Sequence, residues 1–466
     1  MRERGGALFA LLMALAAPAS ARAFDVALDT DTSFQVYEVR SPGARAFMAR
    51  RRLLSRLSVR LTHDLEEPDD EGRALRITAE AQLRLEQEFG STCLVDADLC
   101  VNAVDADDPG AWQPLAADTV LDVPAVWGEI SGLPLGTAVR VGRQLVLDPI
   151  GFVRFDGIRA RVVPLRWIRV EAMAGRVVRG TSLAGTSRSD PQGSIRLDSA
   201  DRVPWAAPPV DTWVAGASVS GGPGRALQLR LSYRHMWEPD GDVLSRLGAA
   251  ASSQPVDGLR IDASGVYDLL TDEVILASGR VAVGDDTLRG HAGIQRHVPR
   301  FDPGTIWAWF SVAPITQGDL GARWKVTDDL SLGGSLRTRH AELGDDGQDD
   351  DLDFGGDGWF RARWERFVFG ASGFLWSGAL GPLAGTSLHV ERRLFGFVEL
   401  ALDVSVWHFD DPHRPDVYGT VLSEVLSARF RITPETLVFA ELQHATSRRV
   451  GHRFRGVLAV RVDTWR

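Results

Sequence analysis

Strict alternation of apolar and polar side chains constrains the fold of this chain more than any other feature. From residue 75 to 85 the odd positions hold Leu, Ile, Ala, Ala, Leu and Leu, whereas the even positions from 76 to 86 hold Arg, Thr, Glu, Gln, Arg and Glu. A helix would repeat its apolar residues at intervals of three and four, so this period of two predicts a β-strand with one apolar and one charged face. Similar segments recur almost to Arg466.

The recurrence predicts an all-β chain of about 20 strands, between 18 and 22. An open sheet of that size would leave exposed edges, which a barrel removes by closing on itself. Tight turns are expected at 132–136, 221–224, 270–272, 327–329, 392–394 and 433–435. Longer polar loops are expected at 90–118, 176–210, 239–258, 342–357 and 409–415. We therefore predict a single transmembrane antiparallel up-and-down β-barrel with short periplasmic turns and long extracellular loops.

The N-terminus predicts export. Arg2 and Arg4 precede an apolar run over residues 7–17, and Ala21-Arg22-Ala23 forms a small-residue cleavage site. We expect residues 1–23 to be a cleaved secretory signal peptide and residues 24–466 to form the barrel. The apolar run is too short to span a bilayer as a helix, and no later segment is long enough. The expected location is the outer membrane of a Gram-negative cell.

Composition narrows the classes of function. The formal net charge of −10 opposes nucleic-acid binding as the main role. Among the basic residues only Lys325 is lysine, which indicates a compositional bias rather than selection of arginine for anion recognition. In an exported protein, Cys93 and Cys100 are expected to form a local disulfide that stiffens an acidic loop.

Chemistry-bearing motifs are missing from the sequence. The histidines are scattered without a paired metal spacing, and no G-x-S-x-G, P-loop or H-E-x-x-H motif is present. The aspartate run at 345–353 lacks the spacing of an EF-hand and is expected to be a solvated loop. We expect no catalytic site, no metal site and no cofactor.

If the apolar faces contact lipid, the opposite faces line a lumen. The residues predicted to line the pore are Arg76, Glu80, Arg84, Arg140, Gln144, Arg159, Arg161, Arg169, Glu171, Arg230, Arg234, Arg337, Arg339, Arg429 and Arg431. Basic side chains outnumber acidic ones in this set, and such a lining favours anionic solutes. In the alternative interpretation, these arginines only pair with acids across the wall.

Two short segments carry a family resemblance. Val141-Gly142-Arg143-Gln144 and Phe155-Asp156-Gly157-Ile158-Arg159 resemble the GRQ and FDGxR elements of alginate-export-like and related porin-type outer-membrane barrels. The resemblance implies a passive channel for an anionic polysaccharide or a similar solute, with Arg140, Gln144, Arg159 and Arg161 in the conduit. By parity, Arg143 and Asp156 face the lipid side near the rim.

The C-terminus departs from the usual outer-membrane ending, because Arg466 follows Trp465 where an aromatic residue normally ends the chain. Outer-membrane lipid and the outer-membrane assembly machinery are still the expected partners, together with small or anionic solutes.

Three functions fit the sequence. The leading hypothesis is a porin-like channel for passive diffusion or export of small or anionic solutes through an arginine-rich lumen. A surface scaffold or adhesin with a plugged barrel and acidic binding loops is the second. A soluble secreted β-protein, built as a sandwich or propeller, is the third; it would have to explain charged faces on nearly every strand without an internal repeat.

Overall fold

A computed structural model describes most of the chain after the predicted signal peptide. The described residues are 24–40, 46–65, 74–95, 119–178, 182–184, 211–298, 314–342, 350–378, 381–410, 418–447 and 451–464. The predicted signal peptide and Cys100 fall outside these ranges, so the signal peptide and the disulfide stay predictions.

The described chain is built from β-strands. They are β1 (Asp25–Arg40), β2 (Ala46–Asp64), β3 (Arg76–Val95), β4 (Thr119–Leu133), β5 (Thr137–Asp148), β6 (Gly151–Leu165), β7 (Ile168–Val177), β8 (Ser182–Ala184), β9 (Trp213–Gly221), β10 (Gln228–Glu238), β11 (Gly241–Val256), β12 (Leu259–Asp268), β13 (Glu273–Gly284), β14 (Leu288–His297), β15 (Ile315–Lys325), β16 (Leu330–Glu342), β17 (Asp350–Trp364), β18 (Phe367–Ser377), β19 (Leu383–Leu394), β20 (Val398–Asp410), β21 (Tyr418–Arg431), β22 (Thr436–Ser447) and β23 (Gly451–Asp463). One 3-10 turn, Pro134–Gly136, joins β4 to β5. Among the described residues, no helix is long and apolar enough to cross a membrane.

The strands close into an antiparallel barrel. Each strand pairs with its neighbours in the chain, except that β8 pairs only with β4 and β7 pairs directly with β9. The first strand also pairs with the last, with Val36 opposite Gly456. This pairing closes a ring of 22 strands and leaves no free edge. The predicted single up-and-down barrel is confirmed, and its strand number lies within the predicted range.

The two faces of the sheet differ in polarity. On the apolar face Leu231, Leu336 and Leu442 are 62%, 68% and 65% exposed, as expected for side chains that face lipid rather than a protein core. The polar face lines the lumen. Because a membrane barrel satisfies its backbone hydrogen bonds between strands and turns apolar side chains to lipid, this architecture places the protein in the outer membrane.

The two ends of the barrel also differ. Both described ends of the chain, Phe24 and Thr464, lie at the end where the connections are short, which we call the periplasmic end. The short connections there are 134–136, 166–167, 222–227, 257–258, 285–287, 326–329, 365–366, 395–397 and 432–435. Long connections such as 96–118 start from the opposite, extracellular end.

Part of the predicted connectivity was wrong. Residues 239–258 are not a loop, because they contain β11, which follows β10 after a tight turn at 239–240. The alternation of β11 is hidden by its run of alanine and serine over 249–253. With that strand counted, the turn near 270–272 lies at the extracellular end rather than the periplasmic one. The turn expected at 392–394 lies at 395–397.

The acidic segment 342–357 was also wrong as a loop, because β17 begins at Asp350. Asp353 and Asp357 face the lumen, where they form ion pairs with arginines of β16. Their negative charge is therefore compensated within the barrel wall and does not require a solvated loop.

Candidate functional site

The hairpin of β5 and β6 leaves the barrel wall at its extracellular end. Pairing of β5 with β4 stops where Arg143 is opposite Val126, and pairing of β6 with β7 stops where Phe155 is opposite Val177. Beyond these points the two strands pair with each other up to the turn at 149–150. The one further backbone hydrogen bond among the described residues there is donated by Val178 N–H to the carbonyl oxygen of Arg154 at 2.9 Å. We call residues 144–155 the tongue.

The tongue packs against the inner face of the barrel. Val146, Val153 and Phe155 form a buried cluster with Val214 of β9 and Met236 of β10. Phe155 is fully buried. Burying an apolar side chain of this size stabilises the docked position by roughly 1.5–3 kcal/mol.

An arginine of the wall holds the turn of the tongue. Arg234 of β10 forms a 2.8 Å ion pair with Asp148 of the tongue, and the two side chains are only 3% and 5% exposed. The same guanidinium donates hydrogen bonds to the carbonyl oxygens of Gly151 at 2.9 Å and Phe152 at 3.3 Å. The Asp148 carboxylate also accepts the backbone N–H of Ile150 at 2.9 Å. A buried charge therefore joins the tongue to a strand more than 80 residues away in sequence.

A glycine on the next strand makes room for the tip. A Cβ at Gly248 of β11 would lie 2.7 Å from Cγ1 of Ile150 and 3.2 Å from Cβ of Pro149. Gly248 lies opposite Ser232 on β10, on the face that carries Arg234. The tongue thus crosses the inner faces of β9, β10 and β11 and narrows the extracellular part of the lumen.

The segment that carries the family resemblance forms the bend at which the tongue begins. On the outer face Arg143 donates to both carboxylate oxygens of Asp156 at 2.8 Å and to the carbonyl oxygen of Val123 at 3.2 Å. Gly142 has φ +125°, and a Cβ there would lie 2.3 Å from the carbonyl oxygen of Val126. This bend therefore depends on a glycine and on an ion pair at the rim.

Below the tongue the lumen contains a cavity of about 840 Å³. Small side chains of neighbouring strands keep this part of the lumen wide; they include Ser220, Ala250, Ser252, Ser264, Ser278 and Gly293. Four arginines also line it: Arg166 of the turn between β6 and β7, Arg169 of β7, Arg230 of β10 and Arg280 of β13. Of these, Arg166 and Arg280 were not among the predicted pore-lining residues, although the even position of Arg280 on β13 places it on the polar face.

The register places the predicted pore-lining residues on the polar face, but their surroundings differ. Many pair with an opposite charge on a neighbouring strand. These pairs are Arg76–Asp64 at 2.5 Å, Glu80–Arg60 at 2.5 Å, Arg84–Asp122 at 2.6 Å, Arg140–Glu129 at 2.8 Å, Arg159–Glu171 at 2.7 Å, Arg337–Asp357 at 2.7 Å, Arg339–Asp353 at 2.6 Å and Arg429–Glu399 at 2.7 Å.

A few members of the set differ from this pattern. Arg161, Arg169, Arg230 and Arg431 form no ion pair with any described residue. Gln144 and Arg234 are covered by the tongue contacts, so neither faces the open lumen. Among the predicted pore-lining arginines, the unpaired positive charge therefore rests on these four, and Arg169 and Arg230 line the cavity.

Each acid that lines the cavity lies beside a basic side chain. Asp262 pairs with Arg260 at 2.8 Å, and Asp319 lies 3.0 Å from Nε2 of His291. Within the described ranges, no group of three or more His, Cys, Asp or Glu residues is arranged to hold a metal ion. The cavity therefore offers hydroxyl groups and guanidinium groups rather than a metal centre.

The sequence matches no protein-family model and no curated protein. Solved structures with a similar outline include a BenF-like porin from Pseudomonas fluorescens Pf-5, with 9% identity, a TM-score of 0.46 and coverage of 94% of this chain and 99% of that one. OccAB4 of Acinetobacter baumannii has 9% identity, a TM-score of 0.45 and coverage of 94% and 98%. Pseudomonas aeruginosa OpdK, solved with vanillate, has 11% identity, a TM-score of 0.39 and coverage of 95% and 99%. Similarity at this level supports no inference about what passes through the barrel.

Proposed function

We propose that the protein is an outer-membrane channel through which small solutes diffuse, with a preference for anions. The observation that carries the proposal is the water-accessible cavity of about 840 Å³ inside a closed barrel, lined by hydroxyl groups and by Arg169, Arg230 and Arg280. Open, water-accessible space in the polar interior is the feature that distinguishes a channel from a filled barrel. The tongue occupies one side of the lumen and leaves a narrower passage beside it.

Charge placement supports the anion preference. Arg169 and Arg230 both lie opposite Ser220 of β9, one on each side, so about 10 Å separates their backbones. Neither has a carboxylate partner among the described residues. The potential in this part of the lumen is therefore positive although the whole chain is acidic, and rings of arginine of this kind favour anions.

Two narrower alternatives remain distinct proposals. The resemblance of residues 141–159 implies export of an anionic polysaccharide, but the docked tongue favours small solutes over a polymer. A plugged surface scaffold would need the space beside the tongue to be filled. A plugged scaffold predicts a much lower permeability for small ions than the channel does, whereas a passage wide enough for a polymer would conduct small ions at least as well.

The test is the reversal potential of single channels in planar bilayers under a KCl gradient. The cavity variant R169Q/R230Q/R280Q removes three of the four arginine charges that line the cavity. The control R52Q/E86Q removes an inner-face ion pair of 3.2 Å and leaves the net charge unchanged. We expect the unmodified protein and the control to select chloride over potassium. In the cavity variant, the reversal potential should move toward zero or change sign.

Absence of conductance in correctly folded protein would refute the channel. Equal selectivity in the cavity variant and the unmodified protein would refute the charge argument and leave the channel intact.

A further inference from the structure

We propose that the periplasmic mouth of the barrel contains a separate binding site for a multiply charged oxyanion, of which inorganic phosphate is the simplest example. The site is a recess of about 380 Å³ formed by Arg323 of β15 and by Trp359, Arg361 and Arg363 of β17. It lies at the opposite end of the lumen from the tongue. The inference goes beyond diffusion through the channel, because it concerns residence of an anion at the exit.

The strand register brings these residues together on the polar face. Arg323 lies opposite Gly333 of β16, and Gly333 lies opposite Trp359. Arg361 lies opposite Ser331, one step nearer the periplasmic end. Since alternate residues share a face, Arg363 points to the same side as Arg361.

Gly333 lets the indole ring of Trp359 lie across β16. A Cβ at Gly333 would lie 2.5 Å from Cε2 and Cζ2 of that ring and 2.7 Å from its Nε1 atom. The ring therefore spans the space between the arginine of β15 and those of β17. Its N–H has no hydrogen-bond acceptor among the described residues and stays available to a ligand.

The charge balance at this mouth differs from that further along the same strands. Further along β16, Arg337 and Arg339 each have an aspartate of β17 within 2.7 Å. By contrast, Arg323, Arg361 and Arg363 form no ion pair within the described part of the chain. Neighbouring like charges without counter-charges repel each other, so the recess is most stable when an anion occupies it.

The acids of the adjoining turn do not supply that counter-charge. Asp328 forms a 2.6 Å ion pair with Lys325, and this hydrogen bond lowers the pKa of Asp328. The pair is therefore internally neutral at physiological pH. Only Asp329 of the turn remains to offset three guanidinium groups, which leaves the recess with about two positive charges.

The donors fit an oxyanion better than a halide. A guanidinium group presents parallel N–H donors that match two oxygens of one phosphate or carboxylate. Several such groups and one indole N–H around a single recess can satisfy more oxygens than a carboxylate has. Phosphate, which carries more than one negative charge near neutral pH, matches both the donor number and the charge.

The experiment is isothermal titration calorimetry of inorganic phosphate into the full-length, detergent-folded protein at low ionic strength. The recess variant R323Q/R361Q/R363Q should lose binding, and each single substitution should weaken it by about tenfold or more. Heat-modifiable mobility on an unboiled gel verifies that every variant is folded. The cavity variant R169Q/R230Q/R280Q also removes three positive charges, but from the cavity rather than from the periplasmic recess, and it should retain phosphate binding.

A second substitution tests the geometry without changing the charge. Gly333→Val should displace the Trp359 ring and weaken phosphate binding, whereas Gly279→Val has no atom within 4 Å of its new Cβ and should not. The inference is overturned if the unmodified protein does not bind phosphate, if the recess variant binds it equally well, or if chloride at the same ionic strength abolishes binding.

The outcome is separable from that of the proposed function. Phosphate binding lost in the recess variant of a protein that does not conduct would support the site and refute the channel. Anion-selective conductance without phosphate binding would do the reverse.

Discussion

Replacing Arg234 by leucine should release the tongue from the barrel wall. The substitution leaves the Asp148 carboxylate almost fully buried without its partner and removes the donors to two carbonyl oxygens of the turn. Breaking a buried ion pair from one side costs about 3–5 kcal/mol. The remaining hydrogen bond from Ile150 N–H to Asp148 places the expected cost toward the lower end of that range.

This cost is comparable with the energy that holds the tongue in place. Burial of Val146, Val153 and Phe155 contributes roughly 1.5–3 kcal/mol for each side chain, before the entropy of ordering the tongue is subtracted. A loss of about 3 kcal/mol raises the undocked population by about two orders of magnitude. Undocking also lets water reach the Asp148 carboxylate, which removes the desolvation penalty.

Two readouts report the undocked state. A cysteine introduced at Val146, which is 5% exposed, should react slowly with a charged thiol reagent in a background lacking Cys93 and Cys100. In R234L the same cysteine should react faster by about two orders of magnitude, and single-channel conductance should become larger and noisier. The double variant R234L/D148L should restore protection, because an apolar pair of similar volume can replace a buried ion pair.

Unchanged labelling and quiet, unchanged conductance in R234L would refute the anchoring role. Equally fast labelling of the single and double variants would instead show that an apolar pair cannot replace the ion pair and the hydrogen bonds from Arg234 to the turn.

Three further predictions concern other parts of the barrel. Gly248→Leu should push Ile150 off the wall and raise conductance, whereas Gly248→Ala should have a smaller effect of the same sign; bilayer recordings measure both. Leu336→Arg places a charge in the lipid-facing belt and should lower the free energy of unfolding by about 2–4 kcal/mol, measured by reversible refolding from urea into bilayers. Leu336→Met should not lower it by this amount. Hydrogen bonds from the backbone N–H groups of Leu288 and Thr287 lower the pKa of Asp285 in its turn. Protection of the Leu288 amide against hydrogen exchange should therefore be complete above the ordinary carboxyl pKa and lost as pH falls through the lower folded value. Protection that does not change with pH would contradict this.

Period-two alternation was sufficient to predict the closed barrel, and it assigned a polar and an apolar face to most strands. Parity is preserved along a regular strand, so residues as far apart as Arg76 and Arg429 could both be assigned to the polar face before any pairing was known. The prediction weakened where alternation is carried by small residues. In β11 the alanine and serine run over 249–253 has almost no contrast between faces, and the strand was taken for a loop.

The tongue could not be predicted from local sequence. The alternation of β5 is interrupted at Val146, whose apolar side chain lies on the face that carries Arg140 and Gln144, but one interruption does not show that the segment leaves the wall. The cause lies elsewhere in the chain, in the charge of Arg234 and the missing side chain of Gly248. Such a contact depends on which strands curve toward each other after closure, and a single sequence does not contain that information.

Ion pairing across the wall was predicted only as an alternative to a lumen of free arginines. The structure contains both paired and unpaired arginines. Arg337 and Arg339 meet aspartates that the sequence had suggested were loop residues, because a run of acids usually indicates a solvated segment. Arg169 and Arg230 have no such partner. Which arginine stays free is decided by the residue opposite it on the next strand, and this residue is known only when the register is known.

The central claim is that the lumen is an open, anion-preferring passage, and the most direct measurement is the reversal potential of single channels of the unmodified protein across a KCl gradient. We predict discrete conductance steps with a reversal potential of the sign that chloride permeation gives. A folded, membrane-inserted protein that shows no conductance, or one whose reversal potential has the sign of potassium permeation, would contradict the account.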